Sequence, residues 1–117
     1  MSKTAIIVDD DVDSVEIFCM MLEERGVSIV GRGYSGKEAI ELFKEKKPDV
    51  IFLDISMPEG TGFHAIRNIK KINESARIIP VTANEDSKTR KKLEDLGIFQ
   101  VIYKPVDIDK IMNLIEN

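Results

Sequence analysis

The sequence predicts an α/β fold, a doubly wound parallel sheet with helices on both faces. Two observations support this prediction: short aliphatic runs of strand length alternate with segments of helical period, and the alternation occurs five times along the chain. Strand–helix units repeated in this way connect by right-handed crossovers, which produce parallel strands covered by helices on both sides. The 117 residues, of which 43% are hydrophobic and 32% charged, match one globular domain covering residues 1–117.

The five predicted strands are continuous aliphatic runs, which are typical of strands buried on both faces of a sheet. They cover residues 5–8, 27–30, 50–53, 78–81 and 101–103. The second run is followed by Gly31 and Gly33, and we expect these glycines to weaken the end of that strand.

The predicted helices begin and end at capping signals. Asp11 or Asp13 precedes the first helix as its expected cap, and Gly26 follows that helix. Residues at helical spacing form its expected buried face: Val12, Val15, Phe18, Cys19 and Leu22. Ser35 and Glu38 have the spacing of a capping box for the second helix. The later helices are predicted near residues 63–72, 85–96 and 108–115, the last of them capped by residue 107.

Composition argues against several classes of function. A net charge of −4 is unsuited to gripping nucleic acid or an anionic membrane, which requires a basic surface. We therefore interpret the basic run at residues 88–92 as a solvated face. No apolar run approaches the ~18–20 residues of a membrane span, and the N-terminus lacks the pattern of a signal peptide. The single cysteine, Cys19, suits a reducing compartment, so we expect a cytoplasmic protein.

Polar side chains follow four of the five predicted strands, at the point where each strand ends. Asp9 and Asp10 follow the first strand, Asp54 the third, Thr82 the fourth and Lys104 the fifth. In an open α/β sheet the ligand site lies outside the carboxyl ends of the strands. We therefore expect three carboxylates, a hydroxyl and an ammonium group to meet at one rim.

The chemistry of such a cluster points to phosphoryl transfer. Nearby carboxylates repel one another unless a cation lies among them, and Mg²⁺, or Mn²⁺ in its place, prefers carboxylate and phosphate oxygens. Asp54 is then a candidate nucleophile, since carboxylates accept phosphoryl groups as aspartyl phosphates. Lys104 and the metal would stabilise charge on the transferred oxygens, and Thr82 would hydrogen-bond one of them.

A structural interpretation applies to each of these residues alone. Aspartates after strands often cap the next helix, and a threonine at a strand end is commonplace. The joint placement of all of them at one rim favours the functional interpretation.

Four signatures make the chain resemble the receiver domain of two-component response regulators, in its single-domain chemotaxis type, over essentially the whole length. They are Ile7-Val8-Asp9-Asp10, the segment 54–62 (DISMPEGTG), Val81-Thr82-Ala83 and Lys104-Pro105. The resemblance implies a flavodoxin-like (βα)₅ sheet with strand order 2-1-3-4-5. It also implies a signalling switch rather than a turnover enzyme, one that catalyses only its own phosphorylation and dephosphorylation.

The resemblance further implies a role for each site residue. A sensor histidine kinase or a histidine phosphotransfer protein would donate its phosphoryl group to Asp54, and the modified domain would bind an unknown downstream protein. By position, Asp9 and Asp10 match the acidic pair, and Mg²⁺ would be held by Asp10, Asp54 and the backbone carbonyl of Ser56. The groups that match the holders of the phosphoryl oxygens are Thr82, the Ala83 amide and Lys104.

The sequence departs from the family pattern in three places. Val101 stands where the family usually has an aromatic residue whose rotamer reports phosphorylation, and Tyr103 lies beside the lysine instead. Pro80 falls inside a strand that the implied order makes central, so we expect a local irregularity just before Thr82. Asp11 adds a carboxylate that either caps a helix or strengthens cation binding.

Three other functions compete with the switch. A phosphohydrolase with an aspartyl nucleophile normally carries a second acid–base aspartate two residues on, where this chain has Ser56. A flavodoxin-like electron carrier needs a phosphate-cradling loop after the first strand, where the acidic residues here would repel phosphate. A pseudo-receiver used only for protein contacts would not require the acceptor-site residues that are present.

A stripe on the first helix is a candidate docking surface. Ile17, Met20 and Met21 fall opposite the expected buried face, and Ser14, Ile17 and Met21 share one stripe by three- and four-residue spacing. Methionine suits adaptable partner contacts, and the resemblance places the helical bundle of the kinase against this helix. We therefore predict that the stripe docks the phosphodonor.

Overall fold

Five strands alternate with five helices in the computed structural model, which describes residues 3–57 and 61–116. The elements are β1 (Thr4–Val8), α1 (Val12–Glu24), β2 (Ser28–Gly33), α2 (Gly36–Lys46), β3 (Val50–Asp54), α3 (Thr61–Ile72), β4 (Ile78–Thr82), α4 (Ser87–Asp95), β5 (Ile102–Tyr103) and α5 (Ile108–Glu116). The predicted succession of elements is confirmed.

All pairings in the sheet are parallel, and the strand order is β2-β1-β3-β4-β5. This is the predicted 2-1-3-4-5 order of a doubly wound sheet. The first two strands of the chain lie on one side of β3 and the last two on the other, so the switch in winding direction falls between β1 and β3. Their carboxyl ends therefore border the crevice in which a ligand binds.

Alternate residues of the strands face two separate apolar layers. Ala5 and Ile7 pack with the buried residues of α1 and α5, and Ile6 and Val8 pack with those of α2, α3 and α4. Phe18 of α1 lies against Phe52 of β3, with ring centroids 5.1 Å apart. Because helices cover both faces, every residue of β3 and β4 is buried.

Side-chain caps begin most of the helices as predicted. The Asp11 carboxylate accepts a hydrogen bond from the N–H of Asp13 at the start of α1, and the Ser35 hydroxyl accepts one from the N–H of Glu38 at the start of α2. Glu38 in turn accepts from the N–H of Tyr34, a variant of the predicted capping box that reaches one residue further back. The carboxylate of residue 107 accepts from two N–H groups at the start of α5.

Three details of the prediction were wrong. Val12 is 55% exposed, because α1 begins there at the rim, before its buried face is established. The second strand covers Ser28–Gly33 rather than residues 27–30 and so includes both glycines; its register with β1 shifts next to Gly31. α4 begins at Ser87 rather than at residue 85, because the Asp86 side chain accepts from the N–H of residue 89 and caps it there.

The expected irregularity at Pro80 is also absent: Pro80 pairs with Leu53 of β3 without a register shift. The backbone carbonyls of Arg77 and Val81 accept hydrogen bonds from the β3 side, so strand alternation turns residue 80 toward β5. Pairing with β5 begins only at Val81. The N–H that Pro80 lacks therefore removes no bond from the sheet.

Across residues 3–57 and 61–116, no helix combines the length and the apolar character that crossing a membrane demands.

Candidate functional site

The carboxyl ends of the strands bring four of the predicted site residues together. Asp9 directly follows β1, Asp54 ends β3, Thr82 ends β4 and Lys104 directly follows β5. The Lys104 Nζ lies 3.1 Å from Asp9 Oδ2 and 3.3 Å from Asp54 Oδ2. Its backbone N–H donates to the carbonyl of Thr82 at 2.9 Å, which fixes the lysine beside the end of β4. One ammonium group thus serves two carboxylates.

Asp10 completes an acidic cluster with Asp9 and Asp54. Ligand oxygens of the three lie within 4.8 Å of one another, and Asp9 and Asp54 are only 6% and 4% exposed, whereas Asp10 is open to solvent. Three carboxylates share the single positive charge of Lys104 here, so negative charge remains uncompensated. A hard divalent cation with oxygen ligands fits this donor set.

Backbone N–H groups orient both buried carboxylates. The N–H of Asp11 donates to Asp9 Oδ1 at 2.9 Å, and the N–H of Ser56 donates to Asp54 Oδ1 at 2.7 Å. Each carboxylate therefore has one oxygen held by the backbone and the other directed at Lys104. This division of roles fixes the rotation of both side chains.

The surroundings raise the pKa of Asp54 and Lys104 and lower that of Asp9. Burial raises the pKa of Asp54, and the negative charge of Asp9 adds to this shift against the opposing Ser56 N–H and Lys104. Burial also disfavours ionisation of Asp9, but the hydrogen bonds from Asp11 and Lys104 outweigh it, so the pKa of Asp9 lies below its usual value. Burial opposes the charge on Lys104, yet the two carboxylates keep the pKa of Lys104 above its usual value.

The hydroxyl of Thr82 lies in a polar arrangement that the sequence did not reveal. Thr82 Oγ1 is 3.2 Å from Ser56 Oγ and accepts a hydrogen bond from the N–H of Asn84 at 3.0 Å. The sequence gives one signal for the hydrogen bond from Asn84: a threonine stands two residues before it, which is the spacing of a side-chain turn. Ala83 lies between them on the exposed segment after β4.

Gly62 allows α3 to begin directly against the backbone that follows Asp54. A Cβ on Gly62 would lie 2.8 Å from Ile55 Cα and 3.3 Å from the Asp54 carbonyl oxygen. Close packing is therefore what requires a glycine at this position. Pro58, Glu59 and Gly60 of the same signature lie outside the described residues.

A cavity of about 200 Å³ adjoins the acidic cluster, between α1 and the segment after β5. Ser14 and Ile17 of the predicted docking stripe line this cavity, together with Asp54 and Lys104. Ile17 is 58% exposed. Met21, the third residue of the stripe, is half-buried and does not line the cavity.

The remaining departures from the family pattern have structural explanations. Asp11 caps α1 and receives the hydroxyl hydrogen bond of Ser14 at 2.7 Å. Val101 is half-buried and packs on the layer that holds α4. The Tyr103 hydroxyl accepts a hydrogen bond from Arg90 of α4 at 2.9 Å, so the tyrosine beside Lys104 ties β5 to α4.

Comparisons with known proteins agree with this geometry. Residues 5–116 match the family model of the response regulator receiver domain. The chain is 32% identical to the chemotaxis protein CheY of Thermotoga maritima over 112 residues, 96% of this chain and 93% of CheY. It is 31% identical to CheY of Bacillus subtilis over 115 residues, which covers 98% of this chain and 96% of the relative. The structure superimposes on a chain of the CheX–CheY–BeF₃–Mg²⁺ complex from Borrelia burgdorferi with a TM-score of 0.87 and 28% identity, covering 95% of this chain and 84% of that one.

Proposed function

Because this chain belongs to the response regulator receiver family, and is therefore a phosphoacceptor switch of two-component signalling, we propose that Asp54 is the residue that receives the phosphoryl group. One observation supports this assignment above the others. The Asp54 carboxylate ends the central strand, is 4% exposed, and lies within ligand distance of two further carboxylates and beside an ammonium group.

Asp9 is the competing acceptor, and its surroundings disfavour it. Both carboxylates contact Lys104, but the pKa of Asp9 is lowered whereas that of Asp54 is raised by burial. The two carboxylates titrate as a pair that shares one ammonium group, so position rather than basicity distinguishes them. Asp54 lies one strand nearer to Thr82, and Ser56 bridges the space between them.

Phosphoryl transfer to Asp54 is a displacement reaction at phosphorus. One carboxylate oxygen of Asp54 attacks the phosphorus of a phosphohistidine on the donor protein, and the new P–O bond forms as the P–N bond breaks. The electron pair of the P–N bond returns to the imidazole nitrogen, which regenerates the donor histidine. The product on this chain is an acyl phosphate at Asp54.

Three groups of this chain are placed to hold the phosphoryl oxygens. The Lys104 ammonium supplies positive charge, since its Nζ lies 3.3 Å from Asp54 Oδ2. The Thr82 hydroxyl accepts from the N–H of Asn84, and its own hydrogen can rotate from the Ser56 hydroxyl oxygen to a phosphoryl oxygen. The backbone amide of Ala83 follows on the exposed segment and is assigned to the same set.

Receiver domains bind Mg²⁺ at an acidic pocket, and the carboxylate cluster fits this ion. We assign Asp10, Asp54 and the backbone carbonyl of Ser56 as its ligands, with Asp9 as the second member of the acidic pair. When bound there, the ion supplies further positive charge to the phosphoryl oxygens.

The chemistry is confined to the chain's own carboxylate. We propose that the domain catalyses formation and hydrolysis of its own acyl phosphate and turns over no separate substrate. Ser56 stands where an aspartyl phosphohydrolase would carry its acid–base residue.

The phosphodonor is assigned to the surface of α1 beside the cavity. CheY-like receivers are phosphorylated by histidine kinases and bind downstream targets. Ser14 and Ile17 line the cavity that opens onto Asp54, and we propose that the stripe Ser14, Ile17 and Met21 contacts a sensor histidine kinase or a histidine phosphotransfer protein.

Intact-mass spectrometry after incubation with acetyl phosphate tests the acceptor assignment. We expect one added phosphoryl group in the presence of Mg²⁺, none in EDTA, and none in Asp54→Asn. Asp95→Asn, at an exposed aspartate outside the cluster, is the matched control and should label as the parent does. Undiminished labelling of Asp54→Asn, or labelling that EDTA leaves unchanged, would contradict the proposal.

A further inference from the structure

The cleft between α3 and α4 collects positive charge on a chain whose net charge is −4. It has a volume of about 570 Å³, and one wall is formed by three basic side chains of α3, Arg67, Lys70 and Lys71. α3 contains no acidic residue. This wall of the cleft is therefore positively charged although the protein as a whole is negatively charged.

α4 extends the positive surface on the other side. The Lys92 ammonium lies 5.2 Å from the centroid of the Phe63 ring of α3, so this side of α4 faces α3. Lys88 precedes Lys92 by four residues and shares its side of the helix. Arg67, four residues after Phe63, continues the same stripe on α3. We call these five basic side chains the basic cleft: Arg67, Lys70, Lys71, Lys88 and Lys92.

Internal pairing does not account for these charges. Among the residues that the structure describes, salt bridges engage residues 25, 32, 46 and 104 as cations, and none engages the basic cleft. Lys70 reaches only the backbone carbonyl of Glu74, at 3.5 Å. The side chains are thus available to an external anion.

Helix stabilisation explains only part of the pattern. Lys70 and Lys71 lie in the last turn of α3, where positive charge interacts favourably with the helix dipole. Lys88 lies in the first turn of α4, where the same interaction is unfavourable. Arg67 lies in the middle of α3, where the dipole has little effect. Interaction with the helix dipole therefore does not explain the positive charges of Lys88 and Arg67.

We propose that the basic cleft binds an acidic segment of a partner protein. The cleft also contains the carboxylates Glu74 and Asp95 and the half-buried Leu96. A nucleic acid presents an unbroken row of phosphates, which these carboxylates would repel. A protein segment with acidic, apolar and occasional basic side chains complements all three kinds of group.

Most of the basic cleft lies apart from the proposed phosphoacceptor. α3 and α4 begin at the rim, but Arg67, Lys70 and Lys71 belong to the later turns of α3. Lys92 lies in the last turn of α4, and Lys88 alone lies in a first turn. Binding there adds a second surface to the switch, and the substitutions that remove it leave the acceptor chemistry in place.

Fluorescence anisotropy with the full chain and a short fluorescein-labelled peptide of glutamates and leucines tests this proposal. We expect salt-sensitive binding that weakens at least about tenfold in the double variant Arg67→Glu/Lys71→Glu. The matched control, Lys37→Glu/Lys44→Glu, makes the same change in net charge on exposed positions of α2 and should bind nearly as the parent does. Labelling by acetyl phosphate should stay unchanged in both.

Three results would overturn the proposal: no binding of the peptide at low salt, an equal loss in the α2 control, or tighter binding of a labelled DNA duplex than of the peptide. The neutral variant Arg67→Gln/Lys71→Gln serves if charge reversal impairs folding, which circular dichroism would show. It should lose a smaller but measurable part of the affinity, and unchanged affinity in this variant would also overturn the proposal.

Discussion

The two halves of the carboxyl rim are built differently. On the side of β1 and β3, Asp9 and Asp54 are buried and a backbone N–H holds one oxygen of each. On the side of β4 and β5, the strand β5 has two residues, the segment 83–86 is exposed, and α4 buries one side chain, Leu93. Regions with few buried apolar contacts move at the lowest free-energy cost. The side of β1 and β3, which we call the fixed half, therefore holds the charged groups in place. The side of β4 and β5, the responding half, changes conformation on phosphorylation at the lower free-energy cost.

Lys104 connects the halves. Its side chain contacts Asp9 and Asp54, whereas its backbone N–H donates to the carbonyl of Thr82. A phosphoryl group that engages Lys104 and Thr82 therefore acts on β4 and β5 while the carboxylates of β1 and β3 stay in place.

The largest expected effect concerns the fixed half, where the phosphodonor is proposed to dock on α1. Ile17→Asp or Met21→Asp should slow transfer from a histidine phosphodonor protein at least roughly tenfold, the kinetic equivalent of ~1.4 kcal/mol. A charge at either position would be desolvated in an apolar contact. Labelling by acetyl phosphate should be unaffected, because a small donor needs no docking surface. Rapid-quench measurement of transfer rates checks the first expectation.

Met20→Asp is the matched control for docking. Met20 is 60% exposed on the same helix but lies outside the stripe of Ser14, Ile17 and Met21. Transfer to this variant should proceed nearly as fast as to the parent. Equal rates for Ile17→Asp, Met21→Asp and the parent, with folding verified, would show that the stripe is not the docking site.

A smaller effect concerns the charge held in the fixed half. The pKa of Asp54 is raised by burial and by Asp9, so ionised Asp54 destabilises the folded state at any pH above its folded pKa. Asp54→Asn should therefore increase the free energy of unfolding at pH 7 in metal-free buffer by about 1 kcal/mol. The gain should decline as the pH falls through the folded pKa and vanish below the unfolded value of about 3.9. Urea unfolding across this range measures it.

Ionised Asp49 should affect the free energy of unfolding in the opposite direction to ionised Asp54. Its carboxylate accepts hydrogen bonds from the N–H and hydroxyl of Thr4, and these lower the pKa of Asp49. Its ionised form therefore stabilises the fold above the unfolded pKa, and this stability is lost as the pH falls through the folded pKa. Asp49→Asn should lower stability at pH 7. A stability loss in Asp54→Asn as well would mean that the cluster is held together by its charges rather than strained by them.

The fold was predictable because its signals are local. Each strand contains an aliphatic run, and most helices have a period and a cap of their own, so the order of elements follows from the sequence alone. The ends of elements depend on contacts with distant residues. β2 continues to Gly33 because it pairs with β1 as far as Val8, and α4 begins at Ser87 because the Asp86 side chain caps it.

The candidate site was predictable to the extent that strand ends determine it. Asp9, Asp54 and Lys104 meet because parallel strands end at one rim. The hydrogen bond from Asn84 to Thr82 depends on the path of a loop, which has no periodicity to reveal it. The half-burial of Met21 and the exposure of Met20 likewise follow from how α1 packs on the sheet rather than from its helical period.

The smallest expected effect tests whether the response lies in the half with β4 and β5. Beryllofluoride with Mg²⁺ mimics the phosphoryl group, and its oxygen-like fluorides should engage Thr82 and Lys104 and draw the following segment inward. Because Val101 carries no aromatic ring, we expect the amides of residues 83–87 to show the largest slowing of hydrogen exchange, a few-fold change. Asp54→Asn, which lacks the acceptor carboxylate, is the control and should show no slowing. Changes confined to α2 would place the response in a region that neither Lys104 nor Thr82 contacts, and would refute the division of the rim into a fixed half and a responding half.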